Sequence, residues 1–206
     1  MTCSELPTVY IVDDEAAVAD SVALLLHSVD LDTRVYPDSR SFLDDYQSTM
    51  RGCLILDIRM PRMSGLALQQ ELTRRRCTLP VIFVTGHGDV PMAVEAMRAG
   101  AVDFLPKPFN DDELIRRVQQ ALDKDAKQYE LLRKRDELQN LWNALTAREC
   151  EIAERLSNGA ANKVVATDLG ISERTVELHR AHIMQKLEVR SLAQLVQLLV
   201  SLKSAQ

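Results

Sequence analysis

The sequence predicts three parts in tandem. An α/β domain with a parallel five-stranded sheet covers residues 1–122, a helical linker covers 123–143, and an all-α domain covers 144–206. Three observations predict this order. Short β-branched runs alternate with segments of helical period through the first part. The middle part has no Gly or Pro and is dense in charge. The last part carries one helix-capping signal after another.

The expected strands are 8–12, 33–36, 53–57, 81–85 and 102–105. They are nearly continuous apolar runs. Strands of that kind, alternating with helices, make a parallel sheet covered on both faces. Val18, Val22, Leu25 and Leu26 mark one covering helix. Leu66, Leu68 and Leu72 mark a second, Val94, Met97 and Arg98 a third, and the last helix starts near Asp111.

From 123 to 142 the composition favours helix. Leu131, Leu138 and Leu145 recur every seven residues, with Leu141 and Trp142 nearby. Two readings stand open: a solvated connecting helix, or a helix that pairs with a second copy. The repeat is too short to claim a coiled coil. Thr146-Ala147-Arg148-Glu149 is a capping box that opens the next helix. A second helix is expected over 162–169, with Gly170 supplying the left-handed turn that ends it. Ser172 caps a third helix that runs to Lys186. Ser191 starts a fourth, with Leu192, Leu195, Val196, Leu199 and Val200 on one face. That stripe suits either core packing or a dimer contact.

Hydrophobic residues make up 46% of the chain and charged residues 27%, as in folded proteins. The net charge of −5 argues against a nucleic-acid binder only when taken whole. Residues 1–122 hold 12 Lys/Arg against 18 Asp/Glu, net −6; 123–143 hold 5 against 5; 144–206 hold 8 against 7, net +1. Cys3, Cys53, Cys77 and Cys150 form no C-x-x-C pair, so no zinc ribbon or redox motif is expected. Their scatter suits a reducing cytoplasm. No signal peptide or membrane span is expected.

Ligands of open parallel sheets bind beyond the carboxyl ends of the strands. There the sequence places Asp13, Asp14 and Glu15 after the first strand, Asp57 at the end of the third, Thr85 at the end of the fourth, and Lys107-Pro108 after the fifth. Clustered carboxylates repel one another and need a cation; hard oxygen ligands suit Mg²⁺ (or Mn²⁺). Asp14 and Asp57 are the expected direct ligands, with Asp13 acting through water. Lys107 and Thr85 would address phosphoryl oxygens, so the set fits phosphoryl transfer to Asp57. His87, after the fourth strand, is expected in a surface loop.

Residues 8–122 resemble the receiver domains of two-component response regulators. The resemblance rests on Val12-Asp13-Asp14-Glu15, on Leu56-Asp57-Ile58-Arg59-Met60-Pro61 with Ser64-Gly65, on Val84-Thr85-Gly86, and on Leu105-Pro106-Lys107-Pro108-Phe109. It implies a flavodoxin-like (βα)5 fold of strand order 2-1-3-4-5. It implies that a sensor histidine kinase phosphorylates Asp57, that the backbone carbonyl of Arg59 is a further metal ligand, and that Lys107-Pro108 is cis. It also implies a switch in which Thr85 moves toward the phosphoryl group and Phe104 turns inward, altering a dimer face built from helix 4, strand 5 and helix 5. Many relatives carry Tyr at the Phe104 position.

The last part resembles the helix-turn-helix modules of NarL/FixJ, or LuxR-type, regulators. The matching residues are Leu145 to Glu149, Gly159, Asn162-Lys163, Leu169-Gly170-Ile171-Ser172, Thr175-Val176, His179-Arg180 and Lys186-Leu187-Glu188-Val189. Four helices are expected, with the third in the major groove. Its expected contacts are Arg174, Thr175, Glu177, Leu178, His179, Arg180 and Lys186, with Lys163 on a phosphate; Ile183 should face inward. Relatives commonly carry Lys where Glu177 stands. A carboxylate there either accepts from cytosine N4 or faces solvent.

The leading expectation is a phosphorylation-controlled transcription regulator that pairs as a homodimer. Its partners would be a histidine kinase, double-stranded promoter DNA and RNA polymerase, with no membrane. It would catalyse only its own phosphorylation and dephosphorylation. A true aspartyl-phosphate phosphatase would need a second Asp two residues after Asp57, where Arg59 stands. A relay receiver would need no DNA-binding tail.

Overall fold

A computed structural model of the protein describes residues 6–86 and 90–203. His87 and Cys3 lie outside the described residues. Thr8–Val12 (β1), Thr33–Tyr36 (β2), Gly52–Leu56 (β3), Val81–Thr85 (β4) and Asp103–Pro106 (β5) form one parallel sheet of order β2-β1-β3-β4-β5. The central strands β3 and β4 are buried along their whole length. This explains why they read as unbroken apolar runs rather than alternating ones.

Helices Ala16–His27 (α1), Ser39–Asp45 (α2), Gly65–Arg74 (α3), Val90–Arg98 (α4) and Asp111–Asn143 (α5) follow the strands in turn. One face of the sheet packs Tyr10, Leu54, Leu56 and Phe83 against Phe42, Leu68, Leu72 and Ala96. The other packs Val9, Ile11, Ile55 and Ile82 against Val22, Leu26, Leu114 and Val118. Asp38 caps α2 by accepting from Ser41 N–H at 2.8 Å, and Ser64 caps α3 by accepting from Ala67 N–H at 3.3 Å. The helix expected near Asp111 and the linker helix are one element: α5 runs 33 residues without a break.

The chain divides into two compact units, Met1–Tyr129 and Glu130–Gln206. Beyond Asn143 the second unit contains Ala147–Ser157 (α6), Asn162–Leu169 (α7), Glu173–Lys186 (α8) and Leu192–Lys203 (α9). The capping box forms as expected: Thr146 Oγ1 accepts from Glu149 N–H, and Glu149 Oε2 accepts from Thr146 N–H at 2.7 Å. Gly170 takes the left-handed conformation, φ 64°, that ends α7. Ser172 Oγ accepts from Thr175 N–H at 3.1 Å to open α8. Ile152, Leu156, Val165, Val176, Ile183, Leu195 and Leu199 make the core, with Leu138, Leu141 and Trp142 packed against it. Most of the α9 stripe therefore packs inward; Val200 is 58% exposed.

Candidate functional site

The parallel register sets the acidic site. Val12 pairs with Leu56, and Asp57 N–H donates to Val12 C=O at 2.9 Å. Asp13 and Asp57 therefore emerge together at one edge of the sheet. One carboxylate oxygen each of Asp13, Asp14 and Asp57 lies within 4.8 Å of the others. Asp13 and Asp57 are buried, and Asp14 is exposed. Lys107 reaches the same place from the end of β5. Its N–H donates to Thr85 C=O at 2.9 Å, and Nζ donates to Asp13 Oδ2 at 2.7 Å. Asp13 Oδ1 accepts from Glu15 N–H at 2.9 Å.

Thr85 is buried at the end of β4. Burial pushes the Asp57 carboxyl above the usual carboxylate range. Lys107 and the Thr85 hydroxyl pull it back, and the charge of Asp13 adds to the upward push. Asp57 Oδ1 is buried with no hydrogen-bond partner among the described residues, which is costly for a carboxylate oxygen unless a cation or an incoming group meets it. That oxygen, in a cluster of hard oxygen donors, fits a metal ion.

The loop beneath Asp57 admits no side chain where α3 begins. A Cβ on Gly65 would collide with the Asp57 carbonyl, and Gly65 N–H donates to Ile58 C=O at 2.9 Å. The peptide Lys107-Pro108 is cis. The Arg59 side chain is exposed. Phe104 stands apart from the carboxylates. It is half-buried against the core between the sheet and α2–α4, and its N–H donates to Asp103 Oδ1 at 2.8 Å. Arg117 on α5 pairs with both Asp103 and Glu113.

In the second unit, α8 buries Val176 and Ile183, seven residues apart, as its inward ridge, with Leu187 just beyond its end. The side chains opposite that ridge are exposed. They include Arg174 and Leu178, the latter 58% exposed, with Glu177 alongside. Thr175, His179 and Arg180 are half-buried on the flanks, and the Thr175 hydroxyl is bonded to Ser172 at 2.7 Å. Lys163 is exposed at the start of α7. Lys186, expected on the DNA face, donates instead to Glu149 Oε2 at 2.6 Å, tying the end of α8 to the cap of α6. Gln185 was not expected among the contacts, yet it is exposed on the same face as Leu178. Counting helical turns outward from Val176 and Ile183 would have found it.

Residues 9–119 match the response regulator receiver domain family, and residues 143–199 match the bacterial regulatory proteins of the luxR family. The transcriptional regulatory protein FixJ of Azorhizobium caulinodans is 45% identical over 190 residues, 92% of this chain and 90% of that protein. Nodulation protein W of Bradyrhizobium diazoefficiens is 41% identical, over 92% of this chain and 84% of that protein. The solved structure of the response regulator StyR aligns at a TM-score of 0.87 and 43% identity, covering 94% of this chain and 98% of that one. The chain belongs to the FixJ/NarL-type response regulators, two-component transcriptional regulators that join a receiver to a LuxR-type DNA-binding domain.

Proposed function

We propose that Asp57 is the phosphoacceptor and that its phosphorylation governs DNA binding by α8. The observation that carries this is the buried, unpartnered Asp57 Oδ1, set among Asp13, Asp14, Thr85 and Lys107. A carboxylate oxygen of Asp57 attacks the phosphorus of a phosphohistidine on a sensor kinase. The P–O bond forms as the P–N bond breaks, and the imidazole nitrogen keeps the electron pair. Asp13, Asp14, Asp57 and the Arg59 carbonyl would hold Mg²⁺ or Mn²⁺, which supplies neutralising charge for the phosphoryl group. Lys107 leaves Asp13 to pair with a phosphoryl oxygen, and the Thr85 hydroxyl donates to another. Water later attacks phosphorus and releases phosphate, so the catalysis is confined to the protein's own Asp57.

Phosphorylation replaces the single negative charge of the Asp57 carboxylate with the nearly two of a phosphoryl group, a net gain of about one. That change acts through Thr85 and Phe104 on the α4–β5–α5 face. Exposed Val94 and Met97 on α4 support pairing of two copies there. The paired DNA-binding units would read two half-sites. Arg174, Glu177, Leu178 and Gln185 face bases, while Lys163, His179 and Arg180 contact phosphates or flank the groove. RNA polymerase is the further partner of such a regulator. No described helix is long and apolar enough to cross a membrane. The free thiols of Cys53, Cys77 and Cys150 support a cytoplasmic setting.

The test is Asp57→Asn with acetyl phosphate and Mg²⁺. Phosphate uptake should vanish while the fold is kept, and the phosphate-dependent gain in promoter binding should vanish with it. Undiminished phosphate incorporation in this variant would refute the assignment.

A further inference from the structure

Asp125 stands in the most highly charged stretch of the chain, where a helical carboxylate is expected in water. Only 3% of it is exposed. Arg51, the residue before β3, covers it. Its Nε lies 2.9 Å and its Nη2 2.8 Å from Asp125 Oδ2. The same guanidinium stacks on Tyr129, with Cζ 3.6 Å from the ring centroid.

These contacts extend the buried face of α5. Leu114, Val118 and Ala121 are fully buried, Asp125 continues that buried face at the next turn, and Tyr129, 37% exposed, stands over it one turn further on. Arg51 is itself fixed to the sheet. Its carbonyl accepts from Thr8 N–H at 3.0 Å. Gly52, at φ 122°, lies so close to the Thr8 backbone that a Cβ there would collide. The register of β1 and β3 is thereby carried onto α5 beyond its last apolar contact with the receiver core. Residues 130–137 that follow are all exposed.

A buried ion pair adds little net stability over an apolar pair of the same shape. It does demand one alignment, because a guanidinium fork that also stacks on a ring has few acceptable positions. We propose that Arg51, Asp125 and Tyr129 are positioning residues: they fix the point at which the linker helix leaves the receiver. Through that fixed point the receiver's phosphorylation state reaches DNA binding, so the inference rests on the regulatory reading above. A helix released at Asp125 would begin its unsupported run sooner, and a displacement arising in the receiver would dissipate there.

The experiment uses the full chain, acetyl phosphate with Mg²⁺, and a duplex selected by the wild-type protein from a randomised library. Three quantities are read: phosphate uptake, DNA affinity with and without phosphorylation, and amide exchange over residues 122–130. Coupling between two sites commonly amounts to about 5–150-fold in affinity. In Arg51→Ala the amides should exchange faster and the gain on phosphorylation should shrink several-fold. Phosphate uptake and unphosphorylated DNA affinity should hold. The apolar pair Arg51→Met with Asp125→Leu should dock without charge and recover the gain. Tyr129→Leu, which keeps the ion pair, guards against misfolding of Arg51→Ala and should lower the gain in part. Faster exchange with an undiminished gain, in either single variant, would overturn the anchor. Absence of any gain in the wild-type protein would instead defeat the regulatory reading, and the anchor with it.

Discussion

Glu149 joins three parts of the second unit through one carboxylate. Its Oε2 accepts from Thr146 N–H at 2.7 Å and from Lys186 Nζ at 2.6 Å. The Lys186 ammonium and the Thr146 N–H hold its carboxyl down at about 2. The sign of the pH effect follows from that depression. A group with a lowered folded-state value stabilises the fold above its unfolded value, near 4.5. That contribution is lost as pH falls from there toward 2. Thermal melts of the isolated second unit should therefore lose stability between pH 5 and about 2, and Glu149→Gln should flatten that slope. A slope unchanged in Glu149→Gln would show that other carboxylates carry it. The capping role of Glu149 was legible from its spacing to Thr146, since both sit within one helical turn. The Lys186 bond was not, because it joins positions 37 residues apart. The acidic site divides the same way. Residue types at strand ends named Asp13, Asp57, Thr85 and Lys107, but that Lys107 would rest on Asp13 needed the fold.

Helix α8 is read from its buried ridge. Val176 and Ile183 fix which side faces the core, so the exposed side follows by rotation. Lys163 and Lys186 are the same residue type with different duties under this geometry. Lys163→Ala should weaken binding to all duplexes alike and lower the salt slope by about one. Lys186→Ala should leave the salt slope intact and destabilise the unit, because it strips the partner from a nearly buried carboxylate. Titrations of duplex over a range of salt, beside urea melts, separate the two. Equal loss of salt slope in both variants would place Lys186 on DNA after all. Helix α5 teaches the complementary point. Composition changes near residue 122, and the sequence reads as a linker from there. The buried face nonetheless runs on to Asp125, and what buries that carboxylate is Arg51, 74 residues earlier. A polar residue paired across the fold has no periodic signal of its own.

At the scale of the whole chain, charge decides what phosphorylation can and cannot do. Residues 1–129 hold 14 Lys/Arg against 20 Asp/Glu, net −6; residues 130–206 hold 11 against 10, net +1. A phosphoryl group makes the acidic unit more acidic still. Tighter DNA binding after phosphorylation therefore cannot come from simple attraction between the receiver and DNA. It must come from a change of state, either pairing of two copies or release of α8, whose free-energy gain exceeds the added repulsion. The separate cores of the two units make this testable by division. A fragment of residues 1–129 should fold and take up phosphate as the full chain does. A fragment of residues 130–206 should bind DNA with no response to acetyl phosphate. At low salt, freed of the acidic unit, it should bind non-specific duplex more tightly than the unphosphorylated full chain. That advantage should fade as salt rises, since screening shortens the reach of the repulsion. An advantage that persists at high salt would instead mean that the receiver restrains the second unit by contact rather than by charge.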